Sequence, residues 1–100
     1  MNAGHLAGAL VLTVTLAQEA TAMADRVYTT PQGRHASVYA SLAEARLANG
    51  DAVGAAAALL HAQELLAKVE SPSASVGKYL DRVRLSICAK SKPKTLACGT

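Results

Sequence analysis

The sequence has few aromatic residues and lacks the patterns that predict a β-sheet. Aromatics make up 3% of the 100 residues, and all of them are tyrosines, since the chain contains neither Phe nor Trp. It also lacks sustained alternation of apolar and polar residues, and turn dipeptides between strand-like runs. Apolar residues still make up 51% of the chain, and many are alanine, the strongest helix former. We therefore predict one small all-α domain.

Motifs for catalysis and for binding metals or phosphate are also missing. The chain has no glycine-rich phosphate loop, and no serine lies in a nucleophile elbow. Its two cysteines have no histidine between them, which excludes a zinc motif. His61 and Glu64, three residues apart, are more typical of a surface hydrogen bond than of a metal pair. We therefore predict no enzymatic activity, no metal site and no cofactor.

The N-terminal segment, residues 1–27, supports two interpretations. The apolar run Leu6–Ala17 is too short to span a bilayer but has the length of a signal-peptide core. Ala22-Met23-Ala24 would supply a cleavage site, although Met1–His5 contains no Lys or Arg. The alternative is a buried helix over about Ala3–Val27, whose second half, from Ala17 onward, is polar on one side. If residues 1–27 form a structural helix, we expect a cytoplasmic protein. If they form a signal, we expect an exported or organellar protein. The sequence does not decide whether the protein contacts a membrane.

A break at Asn49-Gly50-Asp51 separates two helical patterns. Over residues 34–49, apolar residues recur at helical spacing. Gly50 suits the left-handed residue that ends a helix, and Asp51 suits the cap of the next one, which continues to about Val69. One face of that helix carries Ala52, Ala55, Ala56, Leu59, Ala62, Leu66 and Val69. We predict a helical hairpin over residues 34–69, with Ala55, Leu59 and Ala62 in its seam.

A third apolar stripe follows the hairpin. Ser71 is expected to cap this helix and Pro72 to occupy its first position. The stripe consists of Val76, Tyr79, Leu80, Val83 and Ile87. It predicts a helix over residues 72–89 that packs on the hairpin and completes a domain of about four helices over residues 1–89.

Positive charge is concentrated at the C-terminal end. Residues 1–70 carry four basic and six acidic side chains, a balance of −2, whereas residues 71–100 carry six basic and one acidic, a balance of +5. A basic tail over residues 90–100 can attract anions. However, it holds no interleaved aromatics and the chain has no nucleic-acid motif, so nucleic-acid binding is not predicted. Cys88 and Cys98 would form a disulfide in an oxidising compartment and remain thiols in a reducing one.

Residues from about 36 to 69 resemble a tetratricopeptide repeat, whose period is 34 residues. The matching residues are Tyr39, Leu42 and Ala43 in the first helix, Gly50 and Asp51 in the turn, and Ala55, Leu59 and Ala62 in the second helix. Arg46 stands where the family usually has tyrosine, and Ala67 where it has proline. More loosely, the chain is similar to the C-terminal repeat region of bacterial helix-turn-helix regulators. It contains no helix-turn-helix unit, so DNA binding is not implied.

The resemblance implies a protein-interaction module that binds a partner helix or peptide. About three repeats are normally needed to bury the faces of such a unit, so a single repeat should leave apolar surface for a protein partner or for self-association. We expect Tyr39, Leu42 and Arg46 to contact the partner. The alternative function is that of a small exported or organellar structural subunit, with a cleaved signal and a Cys88–Cys98 disulfide.

Overall fold

Residues 3–90 of the protein fold into four α-helices. The computed structural model describes residues 3–90, and the side chains from residue 13 onward. The helices are α1 (Ala3–Val27), α2 (Gly33–Ala48), α3 (Ala52–Ala67) and α4 (Ala74–Lys90), and residues 3–90 contain no strand. The prediction of an all-α fold is confirmed. Of the predicted basic tail, all but Lys90 lies outside the described residues.

Helix α2 is the central element, because α1, α3 and α4 all pack against it. Its contacts are made mainly by small side chains: Ala36, Ala40 and Ala43 have no exposed surface. On α3, Ala55, Leu59 and Ala62 are equally buried, in the seam with α2 and α4. Alanine at these positions allows the helix axes to approach closely, because the distance between packed helices depends on the size of the side chains at the contact.

The turn between α2 and α3 is specified by two residues. Gly50 has a φ of +83°, in the left-handed region that glycine adopts without strain. The N–H groups of Gly50 and Asp51 donate to the carbonyls of Leu47 and Arg46, at 3.0 and 2.9 Å, which forms a Schellman motif. The Asp51 carboxylate then accepts the N–H of Gly54 at 2.8 Å and caps α3. These bonds fold α3 back onto α2.

Two predicted helix ends are wrong. Helix α4 begins at Ala74 rather than Pro72, because Ser73 supplies the cap instead of Ser71: its hydroxyl oxygen accepts the N–H of Ser75 at 3.3 Å. Helix α3 ends at Ala67 rather than Val69. The N–H groups of Lys68 and Val69 donate to carbonyls three residues back, at 3.2 and 3.0 Å, so the chain leaves α3 in a tightened last turn.

Helix α1 is buried on one side only over residues 13–27. From residue 13 to its end, only Thr21 and Ala24 are buried, and Ala17 is half-buried against the core. Exposed side chains on the same helix include Leu16, at 63%, and Met23, at 58%. Residues 13–27 are therefore buried only where they pack on α2, and the rest of their surface, which the sequence predicts to be polar, also carries large apolar side chains. None of the described helices combines the length and hydropathy needed to cross a membrane.

Replacing Ala62 with Leu should lower the free energy of unfolding by roughly 1–3 kcal/mol, because three extra carbons would enter a filled seam. Ala57 is the matched control, since it lies on the same helix with its side chain exposed. Ala57→Leu is expected to be nearly neutral. Urea denaturation of both variants measures the difference. Equal losses would show that the seam is not close-packed.

Candidate functional site

A polar cluster connects α1 to α2 through Asp25. The Nε2–H of His35 donates to one Asp25 carboxylate oxygen and the Tyr39 hydroxyl to the other, both at 2.7 Å. An ionised carboxylate only accepts, so the proton of each bond belongs to the α2 residue. His35 is buried, at 9% exposure, whereas about half of the Asp25 side chain is exposed. We call Asp25, His35 and Tyr39 the α1–α2 clasp.

Two aromatic contacts extend this clasp to α3 and to the α1–α2 linker. The ring of His61 stacks on Tyr39, with the ring centroids 4.1 Å apart and the planes inclined by 22°. Tyr28 lies 5.6 Å from the ring of His35. The spacing of His61 and Glu64 permits a metal pair, but in the structure the ring of His61 packs on Tyr39. Within the described part of the chain, no three His, Cys, Asp or Glu residues are placed to hold a metal ion.

The α1–α2 clasp shifts the pKa values of Asp25 and Tyr39. The hydrogen bonds from His35 and then Tyr39 hold the pKa of Asp25 below its ordinary value of 3.8. Burial, and then the bond to Asp25, raises the pKa of Tyr39 to about 12. The carboxylate is therefore charged and the phenol neutral at physiological pH. Both carboxylate oxygens accept bonds from α2, so this arrangement serves to hold α1 against α2.

Replacing Asp25 with Asn should destabilise the protein by about 1 kcal/mol at pH 7, because one neutral amide oxygen replaces the two charged oxygens that accept bonds from His35 and Tyr39. About half of the Asp25 side chain is exposed, and screening by solvent keeps this loss in the free energy of unfolding modest. The pKa of Asp25 is lower in the folded state than its ordinary value of 3.8. The carboxylate therefore stabilises the fold fully above pH 3.8, and this stabilisation is lost as the pH falls through the lower folded-state pKa.

The difference between wild type and D25N should therefore shrink as the pH falls below 3.8. Urea titrations at pH 7 and pH 3 measure it. Asp81→Asn is the control, since Asp81 is largely exposed and its bond to Arg84 Nε, at 3.4 Å, is long. A D25N difference that stays constant with pH would contradict the role assigned to the clasp.

The three residues expected to contact a partner are used within the domain. Leu42 is 4% exposed and belongs to the core, which leaves no side-chain surface for a partner. Arg46 donates from Nη1 to the carbonyl oxygen of Gly54, at 3.1 Å, and links α2 to α3. Tyr39 belongs to the clasp. The seam and turn residues predicted with them are described above and have structural roles.

An open groove lies between α2 and α4. It encloses about 350 Å3 and is lined by Glu44, Tyr79, Arg82, Val83 and Ser86. The Tyr79 hydroxyl donates to Glu44 and lies 3.1 Å from the Ser41 hydroxyl oxygen. We call this the α2–α4 groove.

Charges of both signs are present in the α2–α4 groove. The guanidinium carbon of Arg82 lies 5.6 Å from the centre of the Tyr79 ring, where a cation–π contact holds it over the groove wall. Burial, and then the bond to Glu44, raises the pKa of Tyr79, so the phenol stays neutral. A guanidinium, a carboxylate and hydroxyls together can bind the carbonyls, amides and charged side chains of a peptide.

The sequence contains a signal for this groove. Polar or small residues recur on α2 at three- and four-residue steps: Arg34, Ser37, Ser41, Glu44 and Ala48. Such a stripe on a helix packed on its other sides marks the face left open to solvent. Pairing it with α4 required the tertiary structure, since Glu44 and Tyr79 are 35 residues apart.

The structure places Cys88, on α4, in a disulfide bond. The chain contains one other cysteine, Cys98. That residue lies outside the described residues, so the Cys88–Cys98 pairing stays a prediction.

Comparison with known proteins gives no relative. The chain matches no protein-family model, no curated protein and no solved structure at a significant level.

Proposed function

We propose that this protein is an interaction module, similar to a tetratricopeptide repeat, that binds an extended peptide or a helix of a partner protein in the α2–α4 groove. The observation that carries the proposal is the groove itself, with an exposed carboxylate and guanidinium on two helices held at a fixed spacing by a packed core. Helical domains commonly bind a peptide in such a groove.

The order of the helices supports the same function. Helices α2 and α3 form the hairpin that resembles the repeat, and α4 packs on it as the first helix of a following repeat would. Repeats of this kind stack in a row, and each one contacts only its neighbours. The stack therefore presents an extended binding surface. The ligand-binding face then consists of α2 and α4, and Glu44 and Arg82 replace Leu42, Arg46 and Tyr39 as the residues proposed to contact the partner.

The proposal is tested with a photo-crosslinking residue introduced at Ser86, in the groove, and at Ala57, on the outer face of α3. In cells that produce the protein naturally, the Ser86 site should crosslink a discrete partner polypeptide and the Ala57 site should not. Arg82→Glu should reduce this crosslink by about tenfold or more, because an interfacial charge is reversed.

Arg84→Glu, on the same helix but outside the groove lining, is the matched control and should leave the crosslink unchanged. Equal crosslinking at Ser86 and Ala57, or a Ser86 crosslink that is insensitive to Arg82→Glu, would refute binding in the groove.

A second candidate function is supported by the disulfide of Cys88. Disulfides persist mainly in oxidising compartments, which favours a small exported or organellar structural subunit. In that case, the apolar run in residues 6–17 would act as a signal and cleavage would follow Ala24. The intact mass of the natural protein distinguishes the two functions. Loss of about 24 residues together with the two protons of a disulfide indicates the exported subunit, and a full-length reduced chain excludes it.

A further inference from the structure

An apolar stripe follows the outer side of α1. It consists of Leu16, Ala20, Met23 and Val27, at successive steps of four, three and four residues, and all four side chains are exposed. Leu16, Ala20 and Met23 each come one position before a residue that faces α2: Ala17, Thr21 and Ala24. One residue corresponds to about 100° around a helix, so the stripe is turned about 100° from the side of α1 that faces α2.

We propose that a second copy of this chain covers the stripe, with the two α1 helices packed antiparallel. In this register, Leu16 lies opposite Val27 of the second copy, and Ala20 lies opposite Met23 of the second copy. Each large side chain of the inner pair then meets a small one. Because the arrangement has two-fold symmetry, every contact occurs twice.

Charge complementarity indicates that a second copy of the chain covers the stripe and that the two α1 helices pack antiparallel. Glu19 and Arg26 are both exposed, and each comes three residues after a stripe residue, so they flank the stripe on the same side. In the antiparallel register, Glu19 lies opposite position 24 of the second copy. Arg26 of that copy is two residues further along, about 3 Å by the helix rise, which is within reach of its long side chain. Two reciprocal ion pairs result.

Other arrangements lose these pairs. A parallel dimer would bring Ala20 against Ala20 and would place Glu19 beside Ala24, which packs on α2. An antiparallel register shifted by seven residues would bring the two copies of Glu19 together, where like charges repel. A second exposed apolar pair on α3, Val53 and Leu60, is not flanked by charges of opposite sign at the corresponding positions.

The dimer should be weak. The two helices overlap over residues 16–27, about 18 Å of helix, which is a small contact compared with the roughly 800 Å2 per partner of a standard interface. We therefore expect dissociation in the range of tens of micromolar, with a strong dependence on each stripe residue.

Sedimentation equilibrium of the full chain, from about 5 to 500 µM, tests the apolar contact. Met23→Gln should weaken the dimer by about tenfold or more. Leu60→Gln is the control, because Leu60 is similarly exposed, at 53%, but lies on α3. It should leave the dissociation constant unchanged. A wild-type chain that is monomeric throughout, or equal effects of the two variants, would overturn the proposal.

Charge reversal tests the direction of packing. Glu19→Arg and Arg26→Glu should each weaken self-association by about tenfold, since two attractive pairs become repulsive. Mixing the two variants should restore dimers, because each Arg then faces a Glu. Failure to restore them would overturn the antiparallel register.

Two further measurements distinguish the dimer from membrane binding by the stripe and from peptide binding in the α2–α4 groove. A monomeric wild type that co-sediments with anionic lipid vesicles would assign the stripe to a membrane and overturn the dimer. Arg82→Glu, which alters the α2–α4 groove, should leave the dissociation constant of the dimer unchanged. The two proposals can therefore fail independently.

Discussion

The close approach of α2 to its neighbours is the constraint on which the rest of the structure depends. Three alanines of α2 and two of α3 have no exposed surface, and they set how near the helices lie. A chain without Phe or Trp cannot fill a wide core. It gains packing contacts by reducing the space between backbones instead, since interiors are stabilised by dense contact rather than by large side chains alone.

This solution has two consequences for the surface. Side chains as small as alanine bury little apolar area, and several larger apolar residues remain exposed, among them those of the stripe on α1. The same packing leaves one face of α2 open beside α4, where Glu44 and Arg82 line the α2–α4 groove. The proposed dimer and the proposed peptide site thus use different surfaces that the compact core leaves exposed. The α1–α2 clasp supports α1, which has a neighbour on one side only.

The helical hairpin can be predicted from residues that are adjacent in the sequence. Contacts between residues far apart in the sequence cannot. A glycine followed by aspartate after a helical pattern is sufficient to place the turn at Gly50 and Asp51. The start of α4 does not follow from the sequence, because Ser71 and Ser73 flank Pro72 and either serine can cap a helix. The bond between Asp25 and His35 crosses the α1–α2 linker, and no residue spacing predicts such a pairing. The position of Arg46 on α2 predicts an exposed contact residue, and spacing alone does not reveal its bond to the backbone of α3.

Native-state hydrogen exchange tests most directly whether α2 is the element that holds the fold together. Amides that exchange only on global unfolding mark the most stable part of a domain, while peripheral elements open at lower cost. We predict the greatest protection for the amides of α2 and of the facing part of α3, around Ala55–Ala62, and lower protection for residues 13–27 of α1. Equal or greater protection of α1 than of α2 would contradict the account.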